Sequence, residues 1–264
     1  MFEGIVLGAI QGIAEWLPIS SEAAVIWAQE LFFGGKDSQT MLQMALFLHL
    51  GTALASIVYF RKEIVSLLKK TIRYREAYKE DKKFIQFLFL ATLVSGGVGL
   101  AVYALLSEIS DTVESKGFII RLGIGILLLV TAFLQFRAKK GGIKGANDLR
   151  IFDGIVLGVL QGLAVLPGIS RSGITVSALL LRKFDDVFAL RASFLMSIPI
   201  VLAGGVFIGA SEAEISLGTV IGLAASFIFG LATIHILLKI AKKINFAYFV
   251  LFFAALVLLS AFVG

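Results

Sequence analysis

The stretch Leu166-Pro167-Gly168-Ile169-Ser170-Arg171-Ser172-Gly173-Ile174-Thr175 places one arginine in a long apolar part of the chain. Arg171 is the only charged residue in 154–181. A lone arginine at the centre of a membrane helix costs roughly 2.5–3.5 kcal/mol even on lenient insertion scales, and such residues usually serve a function. Pro167-Gly168 interrupts a helix, and the serines that follow are good residues to begin another. The stretch therefore predicts a broken helix with a cation at the break.

The composition of the whole chain is that of a membrane protein. Hydrophobic residues make up 58% of the 264 residues and charged residues 16%, with a mean hydropathy of +0.95. About a quarter of the residues of a typical soluble domain are charged. Cysteine is absent, which excludes disulfides and thiolate chemistry. The basic residues lie in short segments between apolar stretches, so we do not expect nucleic acid as a partner.

The apolar stretches fall into two classes by length. Six are long enough to cross a hydrocarbon core, which takes about 20 residues. Two others are interrupted at Pro18 and at Pro167, and the arms on either side are too short to span. Each interrupted region therefore predicts a re-entrant helical hairpin. The predicted elements are the hairpins 2–33 and 152–181 and the spans 40–60, 84–106, 118–136, 189–210, 217–238 and 246–263.

The distribution of charge predicts the orientation in a plasma membrane. Most lysines and arginines lie in four segments, whereas the opposite loops are acidic or nearly uncharged. The positive-inside rule places the basic segments in the cytoplasm. The basic segments are 61–83, 137–150, 182–191 and 239–243, and the acidic residues are Glu108, Asp111, Glu114, Glu212 and Glu214.

An internal repeat relates the two halves of the chain. Residues 2–14 match residues 152–164 at nine of 13 positions. The two units, 1–150 and 151–264, each contain one hairpin and three spans, and this odd number of spans inverts the second unit in the membrane. The predicted fold is thus an all-α, single-domain inverted repeat whose hairpin tips meet near the midplane. Broken helices in such repeats indicate a binding site.

The residues at the two tips suit an anion. The N-terminus of a half-helix offers free N–H groups and a positive dipole end. Arg171 adds a planar cation that matches phosphate, and Glu15 places one carboxylate beside it. A diphosphate fits this set better than a neutral or cationic substrate. The candidate binding residues are Gln11, Ser20, Glu22, Ser170, Ser172, Gly173 and Thr175.

Two motifs resemble those of the undecaprenyl-pyrophosphate phosphatase family, the bacitracin-resistance type of integral membrane phosphatase. Residues 167–175 resemble its PGxSRSGxT motif closely, and residues 11–21 resemble its EGxTEFLPxSSTGH motif less closely. The similarity extends to residues 194–199 and covers nearly the whole chain. The resemblance implies a phosphatase that converts a polyprenyl (undecaprenyl) diphosphate to the monophosphate, with its site facing outward. The catalytic residues that it implies are Glu15, Ser21 and Arg171.

The chain also departs from the family pattern at the first hairpin. Gln11 replaces a glutamate, Glu22 replaces a threonine and Ala24 replaces a histidine that the family ties to catalysis. His49, in the middle of a predicted span, is a candidate for the missing acid or base. Glu15, a carboxylate within the membrane, is also a candidate ligand for a divalent cation, Mg²⁺ or Ca²⁺.

Structural roles compete with several of these assignments. Arg171 could be neutralised by Glu15 without binding a ligand, and Gln11 could join helices through its amide. Glu22 could face solvent or replace the lost acid–base group. A packing role is the simpler interpretation of His49, and His235 near a span end is not expected in the site.

Two other functions compete with hydrolysis. Inverted repeats with broken helices also occur in transporters, so the protein could move a polyprenyl phosphate or another anion across the membrane. A catalytically inactive lipid-phosphate binder is a third interpretation. The expected partners in each case are the polyprenyl lipid and the bilayer, with a homodimer as an option.

Overall fold

The computed structural model describes residues 1–34, 38–113, 117–138, 141–210, 216–243 and 245–263. Within these residues the chain forms α-helices, two short 3₁₀ turns and no strand beyond an isolated bridge between Lys144 and Phe184. The prediction of an all-helical chain is confirmed. The helices are α1 (Phe2–Ala14), α2 (Ser21–Phe33), α3 (Ser38–Tyr59), α4 (Arg61–Ile72), α5 (Lys79–Val113), α6 (Gly117–Arg137), α7 (Ile151–Leu163), α8 (Arg171–Leu181), α9 (Asp186–Gly204), α10 (Leu217–Lys243) and α11 (Ala247–Val263).

Four helices in the described part of the chain are long and apolar enough to cross a membrane. They are α3, α5, α9 with the π-helical turn that extends it, and α10, and they coincide with four predicted spans. The remaining predicted spans, 118–136 and 246–263, coincide with α6 and α11. Because α11 has only 17 residues, six full spans stay a prediction.

Many large apolar side chains of these helices point away from the protein. Leu93 on α5, Phe133 on α6, Ile228 on α10 and Phe252 on α11 are each more than half exposed. In water, apolar surface on this scale would drive association. Lipid is the solvent that suits it, and the protein is a multi-pass membrane protein.

Both predicted helix breaks are present. The arms α1, α2, α7 and α8 have 13, 13, 13 and 11 residues. At 1.5 Å per residue each arm is roughly 16–20 Å long, well short of a hydrocarbon core of about 30 Å. The chain turns at residues 15–20 and 164–170, where Ser20 (φ 62°) and Gly168 (φ 101°) adopt left-handed backbone conformations.

Glycines let the first arm of each hairpin approach a long helix closely. A Cβ added at Gly8 of α1 would collide with the backbone oxygen of Gly222 in α10. A Cβ added at Gly158 of α7 would lie 2.9 Å from the backbone oxygen of Ala91 in α5. Small residues at helix interfaces permit this close packing in membranes. Each hairpin is therefore anchored to a helix that lies far away in the sequence.

The basic segment 61–83, predicted as a loop, is largely helical. It contains α4, a 3₁₀ turn at Tyr74–Glu76 and the start of α5. The prediction was wrong because charge density concealed an amphipathic helix. Ile64 and Leu67 of α4 pack against the protein core, whereas Lys62 and Lys69 are exposed.

Most of the acidic residues that were predicted to lie opposite the basic segments are not among the described residues. Glu114, Glu212 and Glu214 lie outside them, and Glu108 and Asp111 fall on the C-terminal part of α5. The orientation in the membrane stays a prediction.

Candidate active site

The tips of the two hairpins touch each other. The backbone N–H of Gly168 donates to Ser20 Oγ at 3.2 Å, and Ser172 Oγ donates to the carbonyl of Leu17 at 3.4 Å. Ser20 also caps α2, because its Oγ accepts from the N–H of Ala23. Residues about 150 positions apart thus form one continuous polar region, as the sequence predicted for the tips.

Two polar residues of α6 hold both tips in place. Thr131 Oγ donates to the carbonyl of Gly168 at 3.1 Å, and Gln135 Nε2 donates to the carbonyl of Pro18 at 2.5 Å. Both side chains are buried. Neither residue was predicted to lie at the site, although two polar residues four apart in an apolar helix lie on one face and indicate a buried contact.

Glu15 is the centre of the polar region. Its Oε1 pairs with Arg171 of the second tip. Its Oε2 accepts from Ser21 Oγ at 2.8 Å and from Gln11 Nε2 at 3.0 Å. The residue is only 6% exposed, so the carboxylate depends on these partners rather than on water.

His49 reaches this carboxylate from α3. Its Nε2 lies 3.3 Å from Glu15 Oε2 and 3.4 Å from Ser21 Oγ. The other ring nitrogen, Nδ1, lies 2.7 Å from the carbonyl of Ala45, which only accepts hydrogen bonds. Nδ1 therefore carries a proton, and Nε2 is the nitrogen that faces the serine. His49 is therefore part of the polar region.

Arg171 begins α8 with its side chain directed at the first tip. Its guanidinium carbon lies 5.9 Å from the centroid of the Phe194 ring, and the same ring packs against the buried Trp16. Nη1 of Arg171 is buried and has no hydrogen-bond partner among the described residues. The arginine is thus held by Glu15 on one side and keeps one donor group free for a ligand.

A cavity of about 530 Å³ opens beside these groups. The residues of the polar region that line it are Glu15, Ser20, Ser21, Glu22, His49, Ser170, Arg171 and Ser172. Most of the remaining wall is apolar and comes from α5, the end of α7, and α9 with its π-helical turn. The cavity therefore has two continuous parts: an ionic end, formed by the polar region, and an apolar part, which we call the apolar gallery.

Not all predicted binding residues reach the cavity. Gln11, Gly173 and Thr175 are buried behind its lining. Gln11 supports Glu15, Gly173 donates its N–H to Ser170 Oγ, and Thr175 bonds to the carbonyl of Arg171 and to Ser193. These contacts position the residues that do line the cavity.

The gallery has one polar pair that sequence analysis did not predict. Gln161 Nε2 donates to Ser95 Oγ at 3.1 Å and to the carbonyl of Met196 at 3.3 Å. Gln161 occupies the position that corresponds to Gln11 in the internal repeat, but it lies away from the carboxylate. No sequence signal linked it to Ser95 on α5.

Among the described residues, no three His, Asp or Glu side chains converge as ligands for a metal ion. His235 lies outside the polar region, where its Nδ1 is 3.0 Å from the hydroxyl of Tyr59.

Comparison with known proteins identifies relatives of the whole chain. The family described as "Bacitracin resistance protein BacA" matches residues 4–259. The undecaprenyl-diphosphatase of Methanococcoides burtonii is 42% identical over 98% of both chains. That of Haloarcula marismortui is 36% identical over 92% of this chain and 90% of its own, and that of Saccharolobus islandicus is 38% identical over 81% and 75%. The chain belongs to the bacitracin resistance protein BacA family.

Proposed function

We propose that the protein hydrolyses a polyprenyl diphosphate, of which undecaprenyl diphosphate is the representative, to the lipid monophosphate and inorganic phosphate. One observation carries this proposal. A single buried carboxylate, Glu15, joins the hydroxyl of Ser21 to the guanidinium of Arg171 at the ionic end of an otherwise apolar cavity. The names of the relatives support the same substrate.

Arg171 binds the diphosphate and stabilises the charge that develops as the phosphorus–oxygen bond breaks. Its unpartnered Nη1 is the donor available to a phosphate oxygen, and its pairing with Glu15 orients it before the substrate arrives. Donors fixed in advance need no reorganisation during the reaction, which is the usual source of electrostatic catalysis. The N-terminus of α8 adds its positive dipole end to the same region.

Ser21, or a water molecule in its place, attacks the terminal phosphorus. A bond forms from the attacking oxygen to phosphorus, and the bond from phosphorus to the bridging oxygen breaks, so that the lipid monophosphate leaves. Attack by water gives inorganic phosphate directly. Attack by Ser21 gives a phosphoserine, and a water molecule then attacks its phosphorus, breaks the bond to Ser21 Oγ and releases inorganic phosphate. The hydroxyl proton of Ser21 already points at Glu15 Oε2, 2.8 Å away, and this carboxylate is the base nearest to receive it.

His49 supplies the imidazole that the first hairpin lacks at Ala24. Its Nε2 faces the same oxygen and the same hydroxyl, so it can receive or return the proton during the reaction. A histidine on α3 thus compensates in space for a position that is alanine on α2.

The apolar gallery suits the isoprenoid tail. Gly96 and Gly99 of α5 and Gly204 of α9 add no side chain to its wall, and Leu100, Ile200 and Phe207 make it apolar. A lipid whose first units lie in this gallery brings its diphosphate to the ionic end, because the two parts of the cavity are continuous.

A divalent cation fits the donor chemistry of the site. Carboxylate oxygens are the ligands that Mg²⁺ and Ca²⁺ prefer, and two carboxylates line the cavity. When bound, the cation would neutralise charge on the diphosphate. In this proposal Glu15 or Glu22 holds it.

The architecture proposed with this function is the inverted repeat of one re-entrant hairpin and three spans. The packing supports it, because α1 lies against α10 just as α7 lies against α5. The third helices of the two units, α6 and α11, pack against each other. In this arrangement the basic segments lie in the cytoplasm of a plasma-membrane protein, and the first hairpin opens outward.

Release of phosphate from a C55 diphosphate by the purified protein tests the function directly. The wild type should turn over, and Arg171→Ala should lose at least about 100-fold in kcat/KM, the usual effect of removing one transition-state donor. Arg137→Lys, on an exposed residue of α6, is the matched control and should keep its activity. Equal rates for wild type and Arg171→Ala would contradict the proposal. Lipid-phosphate flipping in liposomes without hydrolysis would support the transport interpretation instead.

A further inference from the structure

Glu22 is a buried acid with an unsatisfied oxygen at the ionic end of the cavity. The residue is 7% exposed, and its Oε2 has no hydrogen-bond partner among the described residues. It lies in the first turn of α2, next to Ser21, and lines the cavity. An isolated carboxylate oxygen without water or a donor is costly, so a native site is expected to supply a proton or a cation.

The other carboxylate of the cavity, Glu15, has partners at both of its oxygens. Glu15 Oε1 is occupied by Arg171, and its Oε2 is shared by Ser21, Gln11 and His49. A metal ion at Glu15 would have to displace the arginine that the proposed function needs for the diphosphate. Glu22 Oε2 takes part in none of these contacts.

The charges around the cavity also call for a cation once the substrate is bound. Among the described lining residues, Glu15 and Glu22 are acidic and Arg171 is the only permanent cation. A diphosphate brings several further negative charges into a largely apolar surrounding. Even with His49 protonated, the lining residues and the bound diphosphate together would carry a net negative charge. Unbalanced charge away from water is destabilising.

We propose that Glu22 is the carboxylate ligand of a divalent cation that enters with the diphosphate. This inference rests on the proposed function for its substrate class and moves the expected ligand from Glu15 to Glu22. Mg²⁺ is commonly held by one or two carboxylates together with substrate phosphates and several waters, rather than by a cage of protein ligands. The lack of a three-ligand cluster among the described residues agrees with this mode of binding.

The mode predicts that cation and diphosphate bind cooperatively. The test measures binding of Mn²⁺, as a paramagnetic substitute for Mg²⁺, to the full-length protein in detergent by the loss of the free Mn²⁺ resonance signal. Farnesyl methylenediphosphonate serves as a lipid diphosphate that cannot be hydrolysed. In the wild type, the analogue should tighten Mn²⁺ binding by about tenfold or more.

Glu22→Gln should lose this tightening, and Glu22→Asp should keep part of it. Glu3→Gln, which removes a carboxylate from α1 outside the cavity lining, is the matched control and should behave as the wild type. Melting temperatures show whether each variant is folded, and binding of the analogue without metal is measured separately. Glu22→Asp also keeps the test decisive if Glu22→Gln does not fold.

Three results would overturn the assignment. In the first, the analogue does not raise the affinity of the wild type for Mn²⁺. In the second, the analogue raises the Mn²⁺ affinity of Glu22→Gln as much as that of the wild type. The third is a loss of hydrolysis in Glu22→Gln with unchanged Mn²⁺ binding, which would make Glu22 a proton donor. If the protein binds Mn²⁺ and the analogue cooperatively but hydrolyses no lipid diphosphate, the cation site stands and the proposed function fails.

Discussion

At the scale of single residues, the two oxygens of Glu15 face different halves of the chain. Oε1 pairs with Arg171 of the second hairpin, and Oε2 collects Ser21, Gln11 and His49 from the first half. Removing one partner of a buried ion pair leaves an uncompensated charge, which typically costs about 3–5 kcal/mol. Substitution of Glu15 would therefore disturb the fold as well as the chemistry, and it is a poor probe of mechanism.

His49 is a better probe, because its nearest partners are a backbone carbonyl on its own helix and the side chains of Glu15 and Ser21. We expect His49→Ala to lower kcat for lipid diphosphate hydrolysis by about 10²–10⁴, the usual contribution of a positioned acid–base group, with a smaller change in KM. Steady-state kinetics on the purified variant measures both constants.

The other histidine of the chain is the matched control. His235→Ala removes an imidazole that pairs with Tyr59 away from the cavity, and its kinetics should equal those of the wild type. If His49→Ala turned over as fast as His235→Ala, His49 would have no part in the mechanism.

Arg171 and Glu15 could be singled out from the sequence, whereas His49 was only a candidate for which a packing role was the simpler interpretation. Arg171 and Glu15 stand out because ionisable residues are expensive in apolar segments. His49 gives no such signal, since a histidine within a helix is common and its contact with Ser21 joins residues 28 positions apart. The same holds for Ser95 and Gln161, which meet across two helices.

At the scale of helices, glycines determine how closely the first arm of each hairpin packs against its long neighbouring helix. An alanine at position 8 would place its Cβ against the Gly222 carbonyl of α10, so we expect Gly8→Ala to destabilise the protein by about 1–3 kcal/mol. Unfolding in mixed micelles, followed by loss of helical circular dichroism, measures the change.

Gly123→Ala on α6 is the matched control, because nothing lies within 4 Å of the added Cβ. This variant should be neutral or stabilised by up to about 1 kcal/mol, since alanine reduces the entropy of the unfolded chain. Equal stability of the two variants would show that α1 and α10 are not in close contact.

The helices could largely be predicted from the sequence. Pro18 and Pro167 mark both breaks, and four predicted spans coincide with long apolar helices. The prediction was wrong at α4, where seven of the 12 residues are charged or polar and conceal the apolar residues Ile64 and Leu67 that pack on the core. Packing partners such as α1 with α10 could not be predicted, because periodicity reports a buried face but not what covers it.

At the scale of the molecule, the proposed orientation can be tested with single cysteines, because the natural chain contains none. Arg73→Cys lies in the basic segment after α4, and Leu217→Cys lies at the start of α10, and both positions are exposed. A membrane-impermeant maleimide should label Leu217→Cys in intact cells and Arg73→Cys only after the cells are opened. The reverse pattern would invert the topology and would place the mouth of the first hairpin in the cytoplasm.

The contact between α1 and α10 also constrains how the protein is made. About 200 residues separate the two helices, and synthesis at about 5–20 residues per second takes roughly 10–40 s to cover that distance. During this interval α1 has emerged, is too short to span the membrane, and has no partner for its row of glycines. The first helix of the protein is therefore among the last to reach its final place, and Glu15 at its end is fixed in position together with it.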